Sequence, residues 1–313
     1  MSLPPWPAPS GPLEGFIPLE NARLFYREIG QGQPVIVLHG GPDFDHTYLL
    51  PDTDRLARWY RLIYYDQRGR GRSAAGVRPE DVSLGSDVED LENLRAHFRL
   101  ESVAVLGHSW GALLAMEYAL RHPQRVSHLI LVNTAPASHG DYLLFRRELP
   151  GRRTAADLEK LSSRPADPRY QQGDPDVVAE YYRSHFRATL RQPEHLERLI
   201  QSLRSSFTCE GVLKARAIEE RLMEDTWLSG TYDLLPQLEH LRVPTLLIHG
   251  EHDFIPLECA AHIAEAIPNA RLTVLRGCGH FAYMEAPEEF RRAIADFFAA
   301  DDRQGGKSSS PRR

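Results

Sequence analysis

Val103-Ala104-Val105-Leu106-Gly107-His108-Ser109-Trp110-Gly111-Ala112 is the stretch on which the reading of this chain turns. Apolar, partly β-branched residues run into Gly-x-Ser-x-Gly, and small and apolar residues continue at helical spacing through Ala119. A strand that passes at once into a helix demands a very tight turn. Glycines on both sides of Ser109 leave room for it, because a Cβ at either position would crowd the turn or the packed helix. Ser109 is then expected at the tip with its hydroxyl exposed, where the helix N-terminus favours negative charge developing nearby. In this strand-turn-helix context the motif reads as a nucleophile elbow.

The chain has 313 residues, 42% of them hydrophobic and 9% aromatic, which suffices for a large core. An average domain length of about 150 residues suggests two domains, but α/β folds often run longer as one unit. The net charge of −6 gives no reason to expect nucleic acid or an anionic membrane as partner. Cys209, Cys259 and Cys278 cannot all pair and form no C-x-x-C, which favours a reducing, cytoplasmic setting and argues against zinc. Met1 to Pro12 is Pro-rich without the basic and apolar regions of a signal peptide. No run of about 18 apolar residues offers a membrane span. Residues 1–12 and 301–313 read as flexible ends.

Working outward from the elbow, Gly15 to Leu19 and Ala22 to Ile29 read as a hairpin, and Pro34 to Leu38 as a buried strand. That strand ends in His39-Gly40-Gly41-Pro42-Asp43, a Gly-rich turn that lets backbone N–H groups approach a substrate. Arg61 to Tyr65 is the next strand, followed by Asp66-Gln67-Arg68-Gly69-Arg70-Gly71-Arg72-Ser73, read as a hydrogen-bonded structural loop. No P-loop lysine follows it, so a phosphate site is disfavoured. Ser86 and Glu89 suggest a capping box opening a helix whose Val88, Leu91, Leu94 and Phe98 share one face. Val126 to Val132, Val243 to Gly250 and Arg271 to Leu275 read as further strands, and Pro287 to Ala299 as a closing helix.

Between about Ala137 and His240 charges dominate and apolar groups recur at helical spacing, so this segment reads as a helical insertion over the carboxyl edge of the sheet. Ligands in such folds bind outside the carboxyl ends of the strands. The expected division is an α/β core over residues 13–136 and 241–300, carrying a mostly parallel sheet with helices on both faces, and a helical cap over 137–240.

Serine is a poor nucleophile unless a base takes its proton and a third group holds that base. Asp253 and His280 each follow a late strand, and the chain order Ser109, Asp253, His280 suits this architecture. Gly279 would let the imidazole reach inward. Backbone N–H groups of Gly41 and Trp110 are the candidate oxyanion donors. Cys278, two residues before His280, reads as packing rather than as a reactive thiol. His39 and His108 read as backbone-bonding residues. The cluster His249, His252 and Asp253 needs no metal, since the elbow already explains Asp253, and no metal or cofactor is expected.

The chain resembles the α/β-hydrolases from about Phe16 to Ala299, and within them it is most similar to proline iminopeptidases. The resemblance rests on His39-Gly40-Gly41-Pro42, on Asp66-Gln67-Arg68-Gly69-x-Gly71-Arg72-Ser73, and on Gly107-x-Ser109-Trp110-Gly111. Asp43 departs from the family's H-G-G-P-G, His108 stands where a second glycine is common, and Tyr181 to Phe186 lacks the tryptophan-rich cap motif. The resemblance implies a serine hydrolase acting through an acyl-enzyme, releasing an N-terminal residue, with proline preferred, from a short peptide or amide. It also implies cap glutamates that bind the free α-amine. Ala217-Ile218-Glu219 resembles one such segment, with Glu224 a nearby alternative. A carboxylesterase or lactonase on the same fold, and a non-catalytic ligand-binding protein, are the competing readings.

Overall fold

A computed structural model describes residues 11–305. The ends read as flexible lie largely outside these residues. Eight strands form one sheet: β1 (Leu13–Pro18), β2 (Arg23–Ile29), β3 (Gln33–Leu38), β4 (Tyr60–Tyr65), β5 (Val103–His108), β6 (Val126–Val132), β7 (Thr245–Gly250) and β8 (Ala270–Leu275). Their order is β1-β2-β4-β3-β5-β6-β7-β8. β2 is antiparallel to both β1 and β4, and the remaining pairs are parallel. This is the α/β-hydrolase architecture expected from the elbow.

Alternation along the central strands explains why they are apolar throughout. Val103 and Val105 of β5 point into one core, with the helices α1 (Leu84–His97) and α2 (Trp110–Arg121). Ala104 and Leu106 point into the other, under the closing helix. Successive strand residues face opposite sides, so a sheet covered on both faces needs no polar position at its centre.

Between β6 and β7 the chain is helical: α3 (His139–Glu148), α4 (Ala155–Ser163), α5 (Pro168–Gln171), α6 (Pro175–Phe186), α7 (Pro193–Ser206), α8 (Cys209–Asp225) and α9 (Leu235–Leu238). Its two ends meet in a bridge between Ser138 and Asp233, with Leu234 N–H donating to Ala137 (3.0 Å) and His139 N–H to Tyr232 (2.7 Å). After β7 come α10 (Leu257–Ala266), α11 (Ala282–Glu285) and α12 (Pro287–Gly305). α12 thus runs past the expected end at Ala299, through residues read as tail.

The expected cap of α1 is also displaced. Ser83, not Ser86, is the N-cap: its hydroxyl accepts from Ser86 N–H (3.1 Å), while the Ser86 hydroxyl accepts from Ser83 N–H (2.9 Å). Ser86 therefore does what Glu89 was expected to do, and Glu89 is exposed.

The Asp66–Ser73 loop has the structural role expected of it. Asp66 accepts from His46 Nδ1 (2.6 Å) and from Arg72 N–H (2.8 Å). Arg70 is fully buried and pairs with the equally buried Asp87 at 2.5 Å, while its guanidinium also donates to Gln67 Oε1 at 2.6 Å. Gln67 is tied in turn to His39: its N–H donates to Nε2 (3.0 Å) and its amide to the carbonyl (2.7 Å). Gly69 takes φ +79°, and a Cβ there would lie 2.5 Å from Ile218 Cδ1 of α8. The loop is thus the seat on which α8 rests. Arg70→Met leaves the Asp87 carboxylate buried without its partner and is expected to cost about 3–5 kcal/mol of stability. A urea unfolding midpoint equal to that of the wild type would contradict this.

Candidate active site

Ser109 sits between β5 and α2 at φ 55°, ψ −118°. A residue held there stores roughly 1–3 kcal/mol of strain that its surroundings must offset. Ser109 N–H donates to Val132 O (2.9 Å) and its carbonyl accepts from Ala135 N–H (3.2 Å). The flanking glycines are needed for contact rather than for φ. A Cβ on Gly107 would lie 2.2 Å from Gly111 O, and one on Gly111 would lie 2.4 Å from Leu38 O.

Asp253 follows β7 and His280 follows β8, and both are buried. His280 Nδ1 lies 2.9 Å from Asp253 Oδ1 and 3.1 Å from Oδ2. The carboxylate is held from two further directions, by Ile255 N–H on Oδ1 (3.0 Å) and by Asn133 Nδ2 on Oδ2 (2.6 Å). Burial alone would raise the Asp253 carboxyl, but the neighbouring His280 and His249 and these hydrogen bonds hold it well below the usual range. Phe254 stands edge-on to the His280 ring at 4.5 Å. Gly279 also meets a segment far away in sequence. A Cβ there would lie 2.0 Å from Thr189 O, so glycine admits the loop between α6 and α7. His280 N–H in turn donates to that same Thr189 carbonyl (2.8 Å).

His108 joins the two halves of the site. The His280 carbonyl can only accept, so His108 Nε2, 2.9 Å away, carries the proton. Its Nδ1 then accepts from the Tyr48 hydroxyl (2.7 Å), which itself accepts from Gly40 N–H (2.7 Å). Burial pushes His108 down to about 3, which keeps the ring neutral and this chain of donors fixed. His39 is likewise buried and pushed down to about 3. Both histidines bond to backbone, as expected. Tyr48 was missed in the sequence, since nothing local marks its reach to His108.

The Gly40-Gly41 turn lies against the elbow: a Cβ on Gly40 would fall 3.0 Å from Ser109 Cβ. Gly41 takes φ +123° and precedes a cis peptide bond to Pro42. Trp110 is the first residue of α2, so its N–H has no acceptor within the helix.

Ser109, His280 and Gly41 line one cavity of about 130 Å³, together with Glu219 and Arg216 of α8, Tyr181, Tyr182 and His185 of α6, and Asp43. Burial and the nearby Asp43 carboxylate push the Glu219 carboxyl well above the usual range. Glu224 does not belong to this site. It is exposed, because five residues along a helix turn it about 140° away from Glu219.

Neither alternative chemistry gains support from the geometry. Cys278 is buried, and its thiol is pushed far up by that burial. His252 is exposed beside Glu251, while His249 bonds to the Ile255 carbonyl (3.1 Å) and stands 3.8 Å from Asp253. Asp45, His46 and Asp66 lie close enough to hold a cation, but Asp66 and Asp45 are engaged by His46, Arg72 and Thr47.

Residues 33–287 match the family model of the alpha/beta hydrolase fold. The chain belongs to that family. It is 31% identical to a proline iminopeptidase of Heyndrickxia coagulans over 306 residues, covering 91% of this chain and 98% of that one. It is 29% identical to the proline iminopeptidase of Saccharolobus solfataricus over 280 residues, covering 87% of this chain and 86% of the other. The crystal structure of the Mycobacterium smegmatis proline iminopeptidase superposes with a TM-score of 0.72 at 24% identity, covering 94% of this chain and all of that one. This chain is thus a serine hydrolase of proline iminopeptidase-like type. Among the described residues of this hydrolase, no helix is long and apolar enough to cross a membrane.

Proposed function

We propose that the protein is an aminopeptidase that releases an N-terminal residue, with proline preferred, from short peptides or amides in the cytoplasm. The observation that carries this reading is the meeting of Ser109, His280 and Glu219 in one cavity. In the proposed reaction Ser109 Oγ attacks the carbonyl carbon while His280 takes its proton. Asp253 keeps the proton of His280 on Nδ1, so that Nε2 is the base. Gly41 and Trp110 N–H groups stabilise the oxyanion. The C–N bond then breaks as His280 gives its proton to the leaving amine. Water, deprotonated by His280, hydrolyses the acyl-enzyme and restores Ser109.

Glu219 supplies the counter-charge for the α-ammonium group of the substrate, since a cation leaving water for a partly buried cavity needs an acidic partner. That the relatives are named proline iminopeptidases supports this substrate class. A charge-assisted hydrogen bond contributes roughly 1.5–3 kcal/mol, or about ten- to 150-fold in kcat/KM. Glu219→Gln is therefore expected to lower the ratio of Pro-arylamide to p-nitrophenyl acetate hydrolysis by that factor. The ester carries no amine, and a general loss of folding lowers both rates together. An unchanged ratio would leave the esterase reading in its place.

A further inference from the structure

Asp43 follows the Gly40-Gly41-Pro42 turn and, through that cavity, shares the site with Ser109 and His280. It has no part in the mechanism above. Its Oδ2 accepts from the Tyr182 hydroxyl, and Tyr182 itself packs edge-on against Phe44 at 5.1 Å. Asp43, Phe44, Tyr182 and Arg216 also line a second and larger cavity of about 280 Å³. That cavity runs between the Gly69–Ala75 segment of the core and the start of α8. The Asp43–Tyr182 pair is therefore part of a wall between the two cavities. Two carboxylates, of Asp43 and Glu219, and the Arg216 guanidinium face the catalytic cavity. The carboxylates act on each other, and Arg216 is partly committed elsewhere. It donates to Tyr170 O (2.7 Å) and lies 3.6 Å over the Tyr170 ring.

We infer that Asp43 is a specificity-determining residue: held by Tyr182, it closes the acyl end of the catalytic cavity with a second negative charge, so that a free cationic amine is accepted there and an N-acylated one is refused. Two carboxylates close together in a poorly hydrated site are unfavourable unless a proton or another cation joins them. A protonated prolyl nitrogen has two N–H donors. Asp43 from the core loop and Glu219 from α8 supply one acceptor each. An N-acyl group removes the charge and drives its own bulk against the wall.

This inference rests on the aminopeptidase reading, and one experiment separates the two. Pro-arylamide and N-acetyl-Pro-arylamide are compared by kcat/KM for wild type, Asp43→Asn, Asp43→Gly and Glu219→Gln, each normalised to sites titrated by a fluorophosphonate. Asp43→Asn keeps the wall and removes the charge, and it is expected to lower the free-to-acetylated ratio about ten- to 150-fold. Asp43→Gly is expected to lower that ratio as well and to cleave the acetylated substrate faster than Asp43→Asn, because the second cavity is then open to the acyl group. If Glu219→Gln lowers the ratio while both Asp43 variants keep the wild-type value, the inference on Asp43 is wrong and the aminopeptidase reading stands. If wild type does not distinguish the two substrates, both fall. Should Asp43→Asn fail to titrate, Asp43→Gly decides alone: a ratio at the wild-type value overturns the inference.

Discussion

Ser109→Ala is expected to lower kcat on the order of 10⁶-fold, the scale of loss when the nucleophile of a serine hydrolase is removed. It is also expected to abolish covalent reaction with a fluorophosphonate. The loss is this large because neither the thiol nearest His280 in sequence nor the hydroxyl beside Asp43 is free to substitute. The Cys278 thiol is buried and held protonated, and the Tyr182 hydroxyl is engaged by Asp43. The fold should survive, since the turn is held by the backbone bonds of Ser109 to Val132 and Ala135, which alanine keeps. Intact-mass measurement after labelling checks the prediction, with circular dichroism as the folding control. A label that persists on another residue would contradict the assignment.

Asp253→Asn is expected to lower kcat on the order of 10⁴-fold, by analogy with the same change in a serine protease. The surroundings here make the amide especially unwelcome. All three partners of the carboxylate are donors: the Ile255 N–H, the Asn133 side-chain amide and His280 Nδ1. An amide NH₂ must therefore face one of them donor to donor. Turning it toward His280 favours the imidazole tautomer that leaves Nε2 protonated and unable to take the Ser109 proton. Single-turnover kinetics on an activated ester would check this. Activity near the wild-type level would move the acid elsewhere, with Glu251, which accepts from Gly277 N–H at 2.9 Å, the next to be replaced.

What was legible in the sequence was whatever local patterning controls. The central strands are continuous apolar runs because both faces of the sheet are covered, and Gly-x-Ser-x-Gly marks a turn tight enough to need two glycines. Asp253 and His280 could be chosen because each follows a late strand, the first an apolar run and the second the alternating edge strand β8. Helical phase separates the two cap candidates: five residues apart, Glu219 and Glu224 cannot share a face of α8, and only the first reaches the cavity.

The rest depends on contacts between segments distant in sequence. Nothing near Tyr48 shows that it bridges Gly40 to His108, and nothing near Gly279 shows that Thr189 of the insertion crosses over it. Asp43 was visible only as a departure from the expected turn. Its meaning came from what the insertion lays opposite it, Tyr182 from α6 and Glu219 from α8. Ser83 and Ser86 each offer a hydroxyl able to cap α1, and pattern alone does not choose between them.

The central claim is that this hydrolase requires a free N-terminal amine. It is tested most directly by the specificity constants of the wild-type protein for Pro-arylamide and its N-acetylated form, measured beside short p-nitrophenyl esters. The account predicts that acetylation lowers kcat/KM by at least about tenfold, the contribution of one charge-assisted hydrogen bond. Equal cleavage of the free and acetylated substrates, with the esters turned over faster than either, would contradict it.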